Sequence, residues 1–169
     1  MSGLAAGGDH FDSFFLAHYA RLAKLLYRVV GDIQTAEELA SEAFWRLHTR
    51  PPKSEQNLVG WLYRTGLHLA LDSLKKRRRR AQYEARAASP DAPPSPFEAL
   101  QSLERRNRVR KALTGLKPEQ ISSLTLRSEG YSLAEIASIL SLNPGSAGTL
   151  LARADAALRK EYLRLYGHE

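Results

Sequence analysis

A proline-rich segment divides the chain into two parts and limits how each part can fold. Residues 87–96 read AASPDAPPSP, with four prolines in ten positions and almost no side chain that a core could bury. Proline fixes its own backbone angle and lacks an amide N–H, so such a segment favours a partly extended, semi-rigid linker. We therefore predict one domain over residues 11–86 and a second over residues 97–169, after a flexible N-terminal tail at residues 1–10.

Helical periodicity dominates both sides of this linker. Apolar residues recur at steps of three and four, the spacing of one face of an α-helix, and no stretch shows the alternation or the Asn-Gly and Asp-Gly turns of a hairpin. The sequence therefore predicts an all-α protein made of two small helical domains. Two domains of this size have thin cores, and each could need a partner surface to stay well ordered.

Local signals divide the first domain into three helices. The first runs from Phe11 and ends near Gly31. Thr35 and Glu38 fit a capping box at the start of the second, whose inward residues include Leu39, Ala43, Phe44 and Leu47. The prolines at 51–52 stop it, and Asn57 can cap a long third helix that runs into the basic sequence KKRRRR.

The second domain ends in a helix-turn-helix pattern. Two helices come first: one runs from about residue 97 to a stop at Gly115, and the other runs from about 118 to 129 and ends at Gly130. Ser132 and Glu135 form a second capping box before a short helix. Asn143 can then cap the last helix, with Pro144 at its first position. A short helix, a tight turn and a longer helix are typical of DNA-binding modules.

The positive charge of the chain is concentrated in its middle. The net charge is +7, and residues 75–111 hold 12 basic and 4 acidic side chains. Residues 1–74 hold 7 basic and 8 acidic side chains, and residues 112–169 hold 6 of each. This distribution favours a polyanion lying along the middle, with protein contacts or another role at the two ends.

Several classes of protein are disfavoured by what the sequence contains. There is no cysteine, and none of the five histidines pairs with another at i,i+4, so disulfides and metal sites are not expected. No apolar run approaches the roughly 20 residues that span a bilayer, and the start does not read as a signal peptide. We find no nucleophile–base pair and no phosphate loop, and so expect a cytoplasmic protein that is not an enzyme and needs no cofactor.

Three segments carry a resemblance to a known family. They are GDIQTAEELASEAFWRL, VGWLYRTGLHLALDSLKKRRRR and, after the proline-rich gap, ALTGLKPEQISSLTLRSEGYSLAEIASILSLNPGSAGTLLARADAALRK. Together and in this order they resemble the extracytoplasmic-function (ECF) sigma factors of bacterial RNA polymerase. The resemblance covers about residues 11–164. It implies a sigma region two domain, a sigma region four domain and a role in transcription initiation.

The resemblance implies a polymerase-binding face on the second helix, which in the family docks on the β′ clamp. The family usually has Asp-Leu-x-Gln where this chain has Glu38-Leu39-Ala40-Ser41, so the carboxylate is kept and the amide becomes a hydroxyl. The alternative is a capped, solvated helix face. The residues expected on this face are Ala36, Glu37, Glu38, Leu39, Ser41, Glu42 and Trp45.

The third helix and the loop before it resemble the part that reads and melts the minus-ten element. Melting needs bases held out of the stack beside cations that hold phosphates. Trp61 falls in the buried stripe and is expected in the core, whereas His68 could either bond a base or be an ordinary surface imidazole. The expected minus-ten contacts are Lys53, Ser54, Asn57, Arg64, His68, Lys75, Lys76, Arg77, Arg78, Arg79 and Arg80.

The last helix resembles the minus-thirty-five recognition helix but carries few cations. The family commonly has Lys, Arg and Arg at the positions of Gly148, Leu150 and Asp155. A bidentate base contact gives about 1–3 kcal/mol of discrimination, and this helix offers at most one. We therefore expect a weak or relaxed minus-thirty-five contact. The expected contacts are Lys117, Arg127, Ser146, Thr149 and Arg153.

The resemblance also implies partners and leaves alternatives open. The expected partners are the polymerase core, through its β′ clamp and β flap, promoter DNA and an anti-sigma factor, with no insertion into a membrane. One alternative is a sigma-derived interaction protein whose second domain binds another protein. Another is a helix-turn-helix regulator, which leaves the motifs of the first domain unexplained.

The basic run predicts a strong salt dependence of promoter binding. If about five of its charges pair with phosphates, log K should fall with log salt at a slope of roughly −4 to −5. Replacing Arg77, Arg78, Arg79 and Arg80 with Ala should weaken promoter complexes and flatten this slope. Filter binding of the holoenzyme over a salt series measures both quantities, and an unchanged slope contradicts the assignment.

Overall fold

The computed structural model describes residues 8–85 and 97–167, which form two groups of α-helices. The predicted linker at 87–96 and residues 1–7 of the predicted tail lie outside the described residues. A 3-10 turn, Glu55–Asn57, precedes the third helix. The helices are α1 (Gly8–Val30), α2 (Ile33–Thr49), α3 (Leu58–Ala85), α4 (Phe97–Leu113), α5 (Pro118–Ser128), α6 (Leu133–Leu140) and α7 (Ser146–Tyr166).

The N-terminal domain, residues 8–85, is a three-helix bundle in which each helix packs on the other two. The apolar stripe of α1 supplies Leu22, Leu25 and Leu26, all fully buried. Phe44 of α2 lies under the aromatic side chains of α1, with its ring 4.8 Å from that of Phe15. Each such large side chain contributes about 1.5–3 kcal/mol when buried, so these contacts fix the bundle.

The C-terminal domain, residues 97–167, places α5, α6 and α7 around a smaller core. Ile136 of α6 and Ala147 of α7 are fully buried, and Leu151 and Ala154 continue the buried face of α7. The turn after α6 is possible because Ser141 adopts a left-handed conformation, with φ 53°. α7 packs its small apolar face on α6, with Leu151 rather than Leu150 buried.

The two domains pack directly against each other through α1 and α3 on one side and α5 and α6 on the other. Tyr63 of α3 is 1% exposed, and its ring lies 5.9 Å from that of Tyr131 in an edge-on contact. The buried apolar residues of both domains form one continuous cluster. Each thin core is therefore completed by the other domain.

Two predicted helix starts are wrong. Asp32, not Thr35, caps α2: its carboxylate accepts hydrogen bonds from the Thr35 amide at 2.8 Å and the Thr35 hydroxyl at 2.6 Å. Asp wins because the glycine before it ends α1 and leaves Asp32 extended. Neither Asn143 nor Pro144 starts α7, which begins at Ser146. The Asn143 carbonyl instead accepts a turn hydrogen bond from the Ser146 amide.

The other helix starts follow the local signals. Asn57 caps α3, with its side-chain oxygen 2.9 Å from the Gly60 amide nitrogen. Ser132 and Glu135 form the predicted capping box at α6, in which each side chain accepts from the backbone N–H of the other. The helical segment also begins earlier than expected, because α1 starts at Gly8, inside the predicted tail.

Replacing Gly31 with Ala should destabilise the protein by roughly 1–2 kcal/mol. Gly31 has φ +77°, and a Cβ there would lie 2.8 Å from the guanidinium carbon of Arg110. Urea unfolding measures the loss. Gly145→Ala is the control, because its φ is −73° and a Cβ added there would meet no atom within 4 Å. Equal losses in the two variants would contradict the assignment.

Candidate functional site

The outer face of α2 forms a shallow acidic pocket around an exposed indole. Trp45 is 62% exposed although it is large and apolar. The pocket is lined by Tyr19, Gln34, Glu37, Glu38, Ser41, Glu42 and Trp45. An exposed tryptophan with three carboxylates around it is a surface that suits a protein partner carrying an apolar recess and basic groups.

This pocket corrects the predicted face in two respects. Ala36 is 1% exposed and belongs to the core, so its side chain is not part of the surface, and Leu39 is half-buried. Tyr19 was missed: its hydroxyl lies 3.3 Å from the Ser41 hydroxyl and 3.4 Å from the Glu37 carbonyl oxygen. Its place one turn after Phe15 in α1 was the signal that could have found it.

The basic half of α3 is exposed, although two of its arginines also contact neighbouring helices. His68 and all six residues at 75–80 are exposed, which keeps them accessible to phosphates. Arg77 donates from Nη1 to the Val30 carbonyl at 2.8 Å, and Arg78 donates to the Thr114 carbonyl at 3.4 Å. Trp61 is half-buried and packs against the core, as the stripe predicts.

Two predicted minus-ten residues face the C-terminal domain instead of solvent. Asn57 donates from Nδ2 to the Ser138 carbonyl at 2.9 Å, and Arg64 bonds to the Ser141 hydroxyl. Ser138 and Ser141 belong to the end of α6 and the turn after it. In this arrangement the turn of the helix-turn-helix covers part of the surface expected to hold opened DNA. Lys53 and Ser54, which precede Asn57 in the chain, remain exposed to solvent.

The predicted minus-thirty-five residues are accessible but sparsely charged. Ser146, Thr149 and Arg153 are exposed on α7, and so are Lys117 and Arg127. Arg127 donates to the Tyr131 carbonyl at 3.1 Å, which holds it beside the interface of the domains. The N-cap residue of α7 is a glycine that makes no side-chain cap, so the helix start offers amide groups to an anion.

A carboxylate of the C-terminal domain is held between two cations of α1. The Glu129 side chain is only 9% exposed, lies 3.1 Å from Lys24 Nζ and accepts a hydrogen bond from Arg28. Arg21 adds a cation–π contact with Tyr131, at 5.7 Å from its ring centroid. These ion pairs bridge the two domains, and removal of Glu129 leaves both cations without their partner.

Burial also shifts the pKa values of two aromatic side chains near this interface, Tyr63 and His18. Burial raises the pKa of Tyr63, so its hydroxyl stays protonated in the interface. Burial, and then the charge of Arg21, lower the pKa of His18, whose ring lies 6.3 Å from that of Tyr63. A neutral imidazole and a neutral phenol therefore occupy the seam between α1 and α3 at neutral pH.

Comparison with known proteins matches both domains to the same family. The model of sigma-70 region 2 matches residues 14–80, and that of sigma-70 region 4 matches residues 106–158. The chain is 27% identical to the ECF RNA polymerase sigma factor SigW of Bacillus subtilis (strain 168), over 90% of this chain and 89% of that protein. It is 29% identical to SigE of Mycolicibacterium smegmatis, over 99% of this chain and 67% of that protein.

The chain belongs to the ECF sigma factors. The fold agrees: the sigma factor RpoE of Bartonella quintana, solved with the anti-sigma factor NepR, superposes with a TM-score of 0.57 at 20% identity, covering 93% of this chain and 98% of that one. The two family matches in this sigma factor lie on either side of the predicted linker. The precise limits of its domains stay a prediction.

Over the described residues of this sigma factor, no helix is long and apolar enough to cross a membrane. The same part of the chain holds no group of three His, Cys, Asp or Glu residues able to bind a metal ion. Three surfaces described above are the candidates for partner or DNA binding: the acidic pocket of α2, the basic half of α3 and the exposed face of α7.

Replacing Glu129 with Gln should open the two domains of this sigma factor. Hydrogen bonds to charged groups are worth about 1.5–3 kcal/mol, so the open population should rise about tenfold or more. Because the chain has no cysteine, spin labels on Cys introduced at the exposed Arg50 and Arg159 report the distance between domains.

The matched control is Glu119→Gln, which removes the same charge from an exposed position of α5. It should leave the distance distribution unchanged. An unaltered distribution in the Glu129 variant would show that this ion pair does not close the domains.

Proposed function

We propose that this ECF sigma factor directs core RNA polymerase to promoters and assists opening of the minus-ten element, through the surfaces described above. It supplies no catalytic group of its own: the polymerase carries out the chemistry, and the sigma factor positions it. Since the polymerase works in the cytoplasm, we place this protein there as well.

One observation supports this role most strongly. The N-terminal domain carries an acidic pocket around Trp45 on α2 and a cationic run at residues 75–80 on α3. Surfaces of opposite charge on one rigid bundle can hold a basic protein face and a DNA backbone at the same time. We therefore assign the α2 pocket to the β′ clamp and the α3 run to promoter phosphates.

The polymerase contact centres on Trp45 in this proposal. Buried tryptophans are frequent hot spots of protein interfaces, and the carboxylates of Glu38 and Glu42 beside it would steer a basic partner. Glu42 already pairs with Arg46 at 2.7 Å, so Glu37 and Glu38 offer the more available charges. The hydroxyl of Ser41 takes the place of the usual amide and makes the contact weaker than in most relatives.

Promoter contact requires the domains to separate. Asn57 and Arg64 contact the turn after α6, so their proposed roles at the minus-ten element need that turn to move away. His68, Lys75, Lys76, Arg79 and Arg80 are proposed to hold the DNA of the same element. Lys117, Arg127, Ser146, Thr149 and Arg153 are proposed to make a weaker minus-thirty-five contact, while the C-terminal domain also meets the β flap.

An anti-sigma partner is part of the same proposal. The structure of the related RpoE contains the anti-sigma factor NepR, and two domains joined by a proline-rich segment offer surfaces that such a partner can bridge. The neutral exposed face of α7, with Ala152 and Ala156, is the surface of this chain that suits a protein partner better than DNA. That face is also what favours a sigma-derived interaction protein as the second candidate function.

Run-off transcription with purified core polymerase tests the proposed function. Promoter-dependent transcripts support a sigma factor. Binding to core without initiation would replace it with the interaction protein, and DNA binding without core binding would replace it with a helix-turn-helix regulator.

Trp45→Ala should lower the affinity for core polymerase about thirtyfold, since hot-spot truncations cost 2 kcal/mol or more. Fluorescence titration with labelled sigma factor measures this affinity. The matched control is Leu16→Ala, which removes an exposed apolar side chain from α1 outside the pocket. Equal affinities of the two variants for core polymerase would show that Trp45 is not part of the interface.

A further inference from the structure

A cavity of about 480 Å³ lies between the two domains, on the side of the basic run. Its walls come from the end of α1 and from α3 in the N-terminal domain, and from α4 and α7 in the C-terminal domain. A site lined by both domains exists only while they are closed. Whatever binds there therefore stabilises the closed arrangement by mass action.

The charges that line this cavity are unbalanced. Five cationic side chains face a single carboxylate: Arg77, Arg78, Arg110, Lys111 and Arg164 against Glu161. The carboxylate is already engaged by Arg164, which donates to it from Nε at 2.9 Å. That hydrogen bond, together with the charges of Arg164 and Arg78, lowers the pKa of Glu161.

The other four cations have no carboxylate of the described residues within ion-pair distance. Like charges gathered in a cleft repel each other, and a cleft of one sign focuses the field on a ligand of the opposite sign. The cavity thus has the electrostatics of an anion site.

The arginines are also held in place by the backbone. Carbonyl oxygens at the ends of α1 and α4 accept from Arg77 at 2.8 Å and from Arg78 and Arg110 at 3.4 Å. Arg110 also stacks over Tyr27, at 5.4 Å from the ring centroid. Each guanidinium has five N–H donors, so these contacts orient it and leave donors for a ligand.

Gly31 contributes by lacking a side chain. A Cβ at this position would lie within 2.9 Å of three atoms of the Arg110 guanidinium. The left-handed turn that ends α1 therefore also makes the space that this cation occupies. The cavity is shaped as well as charged.

We propose that this cavity binds a small ligand with two or more phosphate groups, and that the bound ligand holds the two domains closed. Guanidinium groups bind phosphate through paired hydrogen bonds, and several are needed for a polyphosphate. The volume lies in the range of about 300–1,000 Å³ that is usual for small-molecule sites. A DNA duplex, whose major groove alone is about 12 Å wide, is too large for it.

The proposal adds a form of regulation, and this consequence rests on the proposed function. Arg77 and Arg78 line the cavity and are also proposed promoter contacts, so a polyphosphate and promoter DNA compete for them. The ligand also favours the arrangement in which Asn57 and Arg64 contact α6 and its turn. An abundant polyphosphate would therefore keep the sigma factor from promoters without touching the polymerase-binding pocket.

Calorimetry of the full chain with inorganic triphosphate tests the site itself. Replacing Arg110 and Lys111 with Gln should weaken binding at least tenfold, because both line the cavity. The matched control replaces Arg105 and Arg106 with Gln: these lie on the same helix, are exposed and do not line the cavity. The control should change the affinity less than twofold.

Two outcomes overturn the site. One is no binding of triphosphate to the wild-type chain. The other is an equal loss in both double variants, which would show attraction to the overall positive charge. Sodium sulfate at the same ionic strength gives the background, and guanosine and adenosine triphosphates, compared with inorganic triphosphate, show whether a nucleoside adds affinity.

Two further measurements separate this inference from the proposed function. Triphosphate should narrow the distance distribution between labels at Arg50 and Arg159 in the wild type and not in the Arg110/Lys111 variant. It should also inhibit run-off transcription less in that variant. Triphosphate binding without any transcription would overturn the proposed function alone, and transcription without triphosphate binding would overturn the cavity alone.

Discussion

The contact between the two domains is the constraint on which the rest of the structure depends. Each domain alone has few layers of buried side chains, and chains of this size bury a smaller share of their surface than larger ones. The Tyr63–Tyr131 contact joins the two apolar clusters, and Glu129 fixes their orientation against Lys24 and Arg28. Separation of the domains would break these contacts and expose the buried Tyr63 ring to water, so the contacts oppose opening.

This contact sorts the candidate surfaces into two groups. The α2 pocket around Trp45 is lined by α1 and α2 residues and stays available in the closed arrangement, whereas Asn57 and Arg64 contact α6 and its turn. A closed molecule could therefore meet polymerase before it meets DNA. Opening would expose the residues proposed to bind DNA, and polymerase or promoter binding can supply the free energy for it.

Local structure was predictable from the sequence to the extent that it depends on near neighbours. The helical stripes, the Ser132 box and the Asn57 cap depend on residues within one turn. Thr35 was wrong as the cap because Asp32, three residues earlier, accepts from the Thr35 amide, so that Thr35 lies inside the first turn of α2. Ala36 was wrong because its position in the sequence does not distinguish a small core residue from a surface one. The domain contact was beyond prediction: Glu129 meets cations about a hundred positions away, and no periodicity marks such a pair.

The basic middle of the chain has opposite effects on the two arrangements. When the domains close, it brings Arg77, Arg78, Arg110 and Lys111 around one cavity, and their repulsion acts against the Glu129 ion pair. When they open, Arg77 and Arg78 would be available to a phosphate backbone. A small polyphosphate in the cavity would offset the repulsion between the cations in the closed arrangement, whereas promoter DNA would bind the cations that opening exposes. In these proposals the balance between the two arrangements depends on which polyanion is present, because Arg77 and Arg78 serve both.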